Sequence, residues 1–428
     1  MSVSLPSRPS SPALPGPDDV TRTVLDNGLI VLVRENHAAP VVVLDGYLPT
    51  GAIQDPHGKT GLASFTASML TRGNATHDFD AINELVEGLG ATFGFSADDH
   101  VTNVGINALS EDFPTLLALL AETVQRPTFP AAHVERVRKQ RLVRIQERDE
   151  DTQEVAQMAF AATLFGDHPY GKPIIGDAST VTGFTRDDLF AFHRARYTPR
   201  CAILTVVGDI VTAEVLELVH RSLGDWRGPA PDLDAPPLLP PPPASTQSLT
   251  LPDKVQTDLI LGNRVTPRNH PDFFPLRIAN TILGRFGMMG RLGDVVREKL
   301  GLAYYATSSH EAGPVTGTWY ALAGVNPAHV DDALAAIRAE FARLGSEPVT
   351  DEELDDTQAY LTGILPLQLE TNDGVASTLL NMEWHGLGLD YLFHYNDLVR
   401  AVTTADVQRV AATYLDPATQ VTVCAGPT

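Results

Sequence analysis

The sequence predicts an α+β protein in which helices pack on mostly antiparallel sheets and the whole arrangement occurs twice. Three observations lead there. Strand-like and helix-like runs alternate along the chain, a segment near residue 200 returns near residue 418, and a proline-rich stretch lies between the two copies. The copies are visible as paired residues: Thr185, Asp188, Pro199 and Gly208 match Thr403, Asp406, Pro417 and Gly426 at one common offset, 403 − 185 = 218, near half of the 428 residues. Each copy opens on Thr-x-x-Asp. This is close to a capping box, in which the hydroxyl accepts from an early helix N–H and the carboxylate reaches back to the cap residue.

Taken in order, the chain starts with a Ser- and Pro-rich arm, residues 1–19, expected to be disordered and lacking the apolar run of a signal peptide. Leu29 to Val33 and Val41 to Leu44 are apolar, β-branched runs suited to strands. Phe79, Ile82, Leu85, Val86 and Leu89 follow helical spacing and stop near Gly88 and Gly90. Phe113, Leu116, Leu117 and Leu120 repeat that spacing, with Pro114 in the first turn. From Ala131 to about Phe165 the pattern is one long helix or a helix pair. Residues 228–248 hold eight prolines, four of them consecutive at Pro240 to Pro243, and read as a semi-rigid extended linker. The expected division is therefore a half over 20–227 and a half over 249–428, each of two related αβ units.

Composition narrows the function. With 31 Lys and Arg against 53 Asp and Glu, the net charge of −22 argues against nucleic-acid partners and against docking on anionic membranes. No run approaches the ~18 apolar residues of a spanning helix, so a cytoplasmic location is the expectation. Cys201 and Cys424 are too few for a disulfide framework and are expected as buried thiols on strands. The 13 histidines are scattered, and His57, His77 and His100 read as surface or turn residues.

Three segments carry a family resemblance: GAIQDPHGKTGLASFTASMLTRG (51–73), HPYGKPIIGDASTVTGFTRDDLFAFHRARYTP (168–199) and REKLGLAYYATSS (297–309). Together they resemble the pitrilysin/insulinase metallopeptidases, the family of the mitochondrial processing peptidases and the bc1 core proteins, and most closely its small bacterial members. The resemblance implies a duplicated α+β chain that closes on a second subunit as a clamshell dimer.

The family's inverted His-x-x-Glu-His motif places two imidazoles on one helix face, with a Glu that activates a zinc-bound water. Here those positions read Ser64-Phe65-Thr66-Ala67-Ser68, and the carboxylate ligand expected 76 residues beyond Ser68 is Arg144. Ser64, Ala67, Ser68 and Arg144 are thus the degenerate zinc-site positions. Serine is a poor zinc ligand, and Ala67 has no group to take a proton. A guanidinium ~4 Å from a dication costs on the order of 8 kcal/mol at an effective dielectric of ~20. No catalytic residue and no metal or other cofactor is therefore expected in this chain; zinc is expected in a partner subunit. Neither serine sits in a Gly-x-Ser-x-Gly elbow.

By the same resemblance, Arg297 and Tyr304, seven residues apart, are the family's substrate-binding Arg/Tyr pair, donating to carbonyl oxygens of a bound peptide. Such donors stabilise a developing oxyanion by roughly 3 kcal/mol each in other enzymes. Phe93 to Ser96 falls where the family adds substrate to an edge strand. Arg141, Arg144 and Arg148 lie on one helical face, a basic stripe that either attracts acidic peptide segments or serves internal ion pairs. The expected function is a non-catalytic, substrate-binding subunit of a heterodimeric zinc peptidase. Its expected partners are a homologous chain with an intact His-x-x-Glu-His and a peptide substrate; a second copy of this chain, giving a homodimer, is the alternative to the homologous chain. The alternative is a stand-alone peptide-binding or structural scaffold like the bc1 core proteins.

Overall fold

A computed structural model describes residues 14–238, 240–285 and 290–427. Strands β1 (Thr21–Val24), β2 (Ile30–Glu35), β3 (Val41–Leu48), β4 (Thr92–Ala97), β5 (Thr102–Leu109) and β6 (Ile203–Gly208) form one sheet in the order β1-β2-β6-β3-β5-β4. Strands β7 (Ser245–Thr250), β8 (Thr257–Val265), β9 (Ala303–Ala312), β10 (Gly317–Val325) and β11 (Val421–Gly426) form the other, in the order β7-β11-β8-β10-β9. Without β1 the two orders are the same. Each sheet is antiparallel except for one pair, β2 with β6 and β7 with β11. The duplication read from four residue pairs is thus a duplication of topology.

The repeated residues have repeated work. Thr185 and Thr403 each cap a helix, Arg186–Arg196 and Thr404–Tyr414, through a complete capping box with Asp188 and Asp406. Each helix feeds a strand that is buried along its whole length, β6 or β11. Gly208 and Gly426 end those strands because no Cβ fits: it would lie 2.3 Å from the Val41 carbonyl oxygen or 2.3 Å from the Thr257 hydroxyl.

The run from Ala131 to Phe165 is a helix pair, Ala131–Glu150 and Thr152–Phe165, broken at Asp151, whose carboxylate accepts the Glu154 N–H at 2.8 Å. The break redirects the chain. The second helix packs on β8 and β11, in the other half. There Ala156, Phe160 and Leu164 share a buried cluster with Ile260, Val421 and Val423. The counterpart helix Asn372–Trp384 packs on β3 and β6, burying Val375, Ala376 and Leu379 with Val43 and Val207. Each sheet therefore has a helix of the opposite half on it. Burying a side chain such as Phe160 contributes about 1.5–3 kcal/mol, so this exchange joins the halves through core.

Three expectations need correction. Of the arm expected to be disordered, residues 1–13 lie outside the described residues, but Leu14 to Asp19 is in place. Leu14 packs on the apolar core, and Asp19 accepts the Gly16 N–H and pairs with Arg34, both at 2.7 Å. The linker is shorter than read: Ser245 to Ser248 belong to β7, paired with β11, so the second half begins there. What precedes is tied down, with carbonyls of Pro229 and Asp232 accepting from Thr198 at 2.8 Å and Gln54 at 2.6 Å. Cys424 is buried in β11, but Cys201 is exposed. Its left-handed φ of 60° places it in the turn before β6 rather than on the strand. Among the described residues no helix is long and apolar enough to cross a membrane.

Because the core crosses between the halves, a chain cut at a protease site engineered between Asp234 and Ala235 is expected to stay together. Size-exclusion chromatography should show one species at the uncut mass; two separated halves would contradict the shared core.

Candidate functional site

The degenerate motif lies on the helix Leu62–Leu70. It starts at Gly61, whose φ of 95° suits glycine and whose absent Cβ leaves room for the Gly176 backbone. The Asp55 carboxylate accepts the N–H groups of Gly61 and Ala63 at 2.6 and 2.7 Å, satisfying donors the first turn leaves open. Leu62, Phe65 and Met69 are buried, so the helix sits deep in the first half. Ser64 and Ser68, four residues apart, share a face, and Ser68 Oγ donates to the Ser64 carbonyl at 2.8 Å.

The side chain that meets this face is Arg141. Its Nη1 donates to Ser64 Oγ at 2.8 Å, and its Nη2 donates to Ser68 Oγ at 2.8 Å and to the Ser64 carbonyl at 3.4 Å. Burial pulls its pKa down from the usual guanidinium value. Arg144, expected opposite the motif by counting, is one turn further along and pairs with Glu154 at 2.5 Å, 54% exposed. Arg148 is buried, bonded to the Gly176 carbonyl at 2.8 Å and to Asp149 at 2.7 Å. The three arginines of the expected stripe thus serve three separate places.

A zinc ion does not fit this donor set. Protein zinc sites are made from imidazoles, thiolates and carboxylates. Here two hydroxyls, the methyl of Ala67 and the guanidinium of Arg141 converge. Among the described residues, no group of three His, Cys, Asp or Glu is placed to hold a metal.

Arg297 and Tyr304 lie on the second half. Arg297 is on the π-helical segment Gly293–Lys299 and pairs with its neighbour Glu298 at 3.4 Å. The start of this segment is anchored by Arg291, which grips Glu353 with two bonds of 2.7 and 2.8 Å. Arg291 holds the Glu353 carboxyl down at about 2. Tyr304 sits on β9 where the register with β10 shifts: Gly324 pairs with Tyr305 and Val325 with Ala303, leaving Tyr304 as the extra residue. A bulge re-aims its side chain, and Tyr304 is 77% exposed. Tyr305 is instead tied to Asp258 at 2.5 Å. No hydrogen bond or ion pair among the described residues joins Arg297 or Tyr304 to the Ser64–Arg141 cluster.

Sequence reasoning missed a cavity of about 600 Å³ between the halves, lined by Tyr47, Asp99, His100, Tyr170, Glu311 and Trp384 among others. Burial, helped by Asp98 and Glu311, raises the Asp99 carboxyl to about 7. His100, expected as a surface or turn residue, lies in the bend between β4 and β5, partly buried and hydrogen-bonded to Tyr170. The cavity lining comes from many separate segments, so no local motif announced it.

Two predictions follow from this geometry. Restoring the motif with Ser64→His, Ala67→Glu and Ser68→His should give no zinc uptake by mass spectrometry while Arg141 is kept. Adding Arg141→Glu, at the position that meets both serines, should raise the metal content; full zinc loading with Arg141 present would contradict the electrostatic account. The Arg291–Glu353 pair lowers a folded-state carboxyl pKa from 4.5 to about 2. Its stabilisation is therefore present above pH 4.5 and lost as pH falls towards 2. Arg291→Met should lower the melting temperature at pH 7, and the gap to wild type should close across that window.

Comparison with known proteins places the fold. Residues 30–178 match the insulinase family, peptidase family M16, and residues 183–361 match the peptidase M16 inactive domain. An uncharacterised zinc protease of Mycobacterium leprae is 28% identical over 365 residues, 84% of this chain and 81% of that protein. The peptidase M16 inactive domain of Pseudomonas fluorescens superposes with a TM-score of 0.90 at 28% identity, covering 96% of this chain and 98% of that one. A protease of Helicobacter pylori has the same fold, with a TM-score of 0.90 at 23% identity over 97% of this chain and 100% of that one. Two consecutive matches to one family, on a duplicated fold of the same architecture, show that the chain belongs to the insulinase (M16) peptidase family.

Proposed function

We propose that this chain is the non-catalytic, substrate-gripping subunit of a two-chain zinc peptidase that acts on peptides or unfolded proteins. The observation that carries the reading is a contrast between the two halves. Where the family holds metal, Arg141 is hydrogen-bonded to two serines and no proton acceptor stands at Ala67. On the other half, Tyr304 is lifted out of its strand by a bulge and left 77% exposed, where its hydroxyl can meet a ligand. The zinc-protease name of the mycobacterial relative and the inactive-domain name of the Pseudomonas structure are compatible with a chain that has kept the family's fold and lost its metal.

In this reading the expected roles are those of hydrogen-bond donors. The Arg297 guanidinium and the Tyr304 hydroxyl donate to carbonyl oxygens of a peptide held between this chain and its partner, orienting the bond to be cut. Among the described residues β4 pairs only with β5 and ends its sheet, so its outer edge can take an extended peptide by strand addition. The acidic chain, at −22, would favour substrates without a strong negative charge at long range.

The Arg297–Glu298 contact is the one observation that favours a scaffold instead, since it gives the arginine a surface partner. The two readings differ in a mixed assay. With a homologous chain carrying an intact His-x-x-Glu-His, the pair should cleave an unstructured peptide, and Arg297→Ala in this chain should lower kcat/KM on the order of a hundredfold. A complex whose activity is unaffected by Arg297→Ala and Tyr304→Phe would leave the scaffold reading standing.

A further inference from the structure

The Arg141 cluster has a property that a filled metal vacancy does not need. Of the five arginines on the helix Ala131–Glu150, three have carboxylate partners and Arg136 lies over the Phe79 ring. Arg138 pairs with Glu135 at 3.0 Å, Arg144 with Glu154 at 2.5 Å and Arg148 with Asp149 at 2.7 Å. Arg141 has no carboxylate partner among the described residues; its bonds go to Ser64 and Ser68. In a chain with 53 acidic residues, this half-buried guanidinium is left without a counter-ion. A partly desolvated cation without an anion is unfavourable unless an anion arrives.

The donors around it are arranged for one. A guanidinium has five N–H groups in a plane; both of Nη2 and one of Nη1 are engaged here, leaving the Nε N–H and one Nη1 N–H, which point from different edges. Ser64 Oγ accepts from Arg141, and no acceptor for its own proton is found among the described residues. Ser68 Oγ spends its proton on the Ser64 carbonyl, which holds its lone pairs towards Arg141. The cluster therefore presents one positive charge, two free guanidinium N–H groups and one hydroxyl donor. The helix Leu62–Leu70 that carries both serines packs against β4, the edge strand onto which a peptide would add.

We propose that Ser64, Ser68 and Arg141 form a carboxylate receptor at the place of the lost metal centre, which takes a carboxylate of a bound peptide. The guanidinium supplies the charge and one free N–H, and the Ser64 hydroxyl supplies a second bond. The inference rests on the reading that this chain grips peptides, and it adds what the chain selects. A subunit of this kind holds a peptide by its negative group and does not act on the peptide bond itself. The carboxylate belongs either to the C-terminus of the peptide or to an Asp or Glu side chain, and the two share the same chemistry.

The test uses the full chain and three fluorescent decapeptides of neutral sequence: a free C-terminal acid, the same peptide as an amide, and the amide with one internal Glu. Fluorescence anisotropy should show the free acid, the Glu peptide or both binding about tenfold more tightly than the neutral amide. Arg141→Gln should erase that preference and Arg141→Lys should keep part of it. Preference for the free acid alone assigns the C-terminus, and preference for the Glu peptide alone assigns a side chain. Equal binding of all three by the wild-type chain overturns the receptor and leaves peptide gripping intact. A second arm uses millimolar N-acetylglycine against its amide at matched ionic strength. If no decapeptide binds, the gripping reading fails. Thermal stabilisation by the acid alone, lost in Arg141→Gln, then still supports the receptor, and stabilisation by neither overturns it as well.

Discussion

The structure depends on a reciprocal exchange of helices. A five- or six-stranded sheet with one helix layer still has a second apolar face, and the chain covers those faces crosswise. Thr152–Phe165 lies on β8 and β11, and Asn372–Trp384 lies on β3 and β6. Phe160 and Leu164 are buried against the second sheet, and Leu379 and Val375 are buried in the cluster that includes Val43 of the first. Each sheet thus has one face whose cover comes from the other half. The strand edges β4 and β9, the bulge at Tyr304 and the cavity between the halves are consequently presented by one body. A site assembled from both halves needs that relative placement to be held by core packing rather than by a linker.

The second constraint is electrostatic. Replacing two imidazoles by hydroxyls removes ligands, but a guanidinium among them replaces the charge as well. Arg141 stands in for a cation with a fixed one, held by two bonds of 2.8 Å to serines four residues apart on a helix. The serines are therefore partners of an arginine rather than residues left over. That arrangement accounts for Ser64 and Ser68 together with Arg141, while Arg144 is paired elsewhere, with Glu154.

Much of this was legible in the residues. Thr-x-x-Asp and its copy could be read because a capping box has a fixed spacing. Gly208 and Gly426 could be paired because a close backbone approach excludes every other side chain. The strand runs at Leu29 and Val41 appear as β2 and β3, and the helix patterns at Phe79 and Phe113 appear as Phe79–Gly88 and Phe113–Gln125. The lost zinc motif was readable from identity alone. What spacing could not tell was which arginine meets the serines. Arg141 and Arg144 are one helical turn apart, and the choice depends on how two helices cross. Nor could periodicity show that Thr152–Phe165 leaves its own half, because an apolar face records that it is covered and not by what. Cys201 was misplaced for a local reason: the apolar run of β6 begins two residues later, after a left-handed turn.

The central claim is that the chain keeps the fold and the substrate-facing donors of a zinc peptidase while its own metal centre has become an arginine–serine cluster. Its most direct test is the zinc content of the purified full-length chain, by mass spectrometry after dialysis against micromolar zinc, with peptide cleavage followed in parallel. The account predicts zinc far below one ion per chain and no cleavage above a chelator-treated control. One tightly held zinc per chain, with cleavage abolished by the chelator, would contradict it.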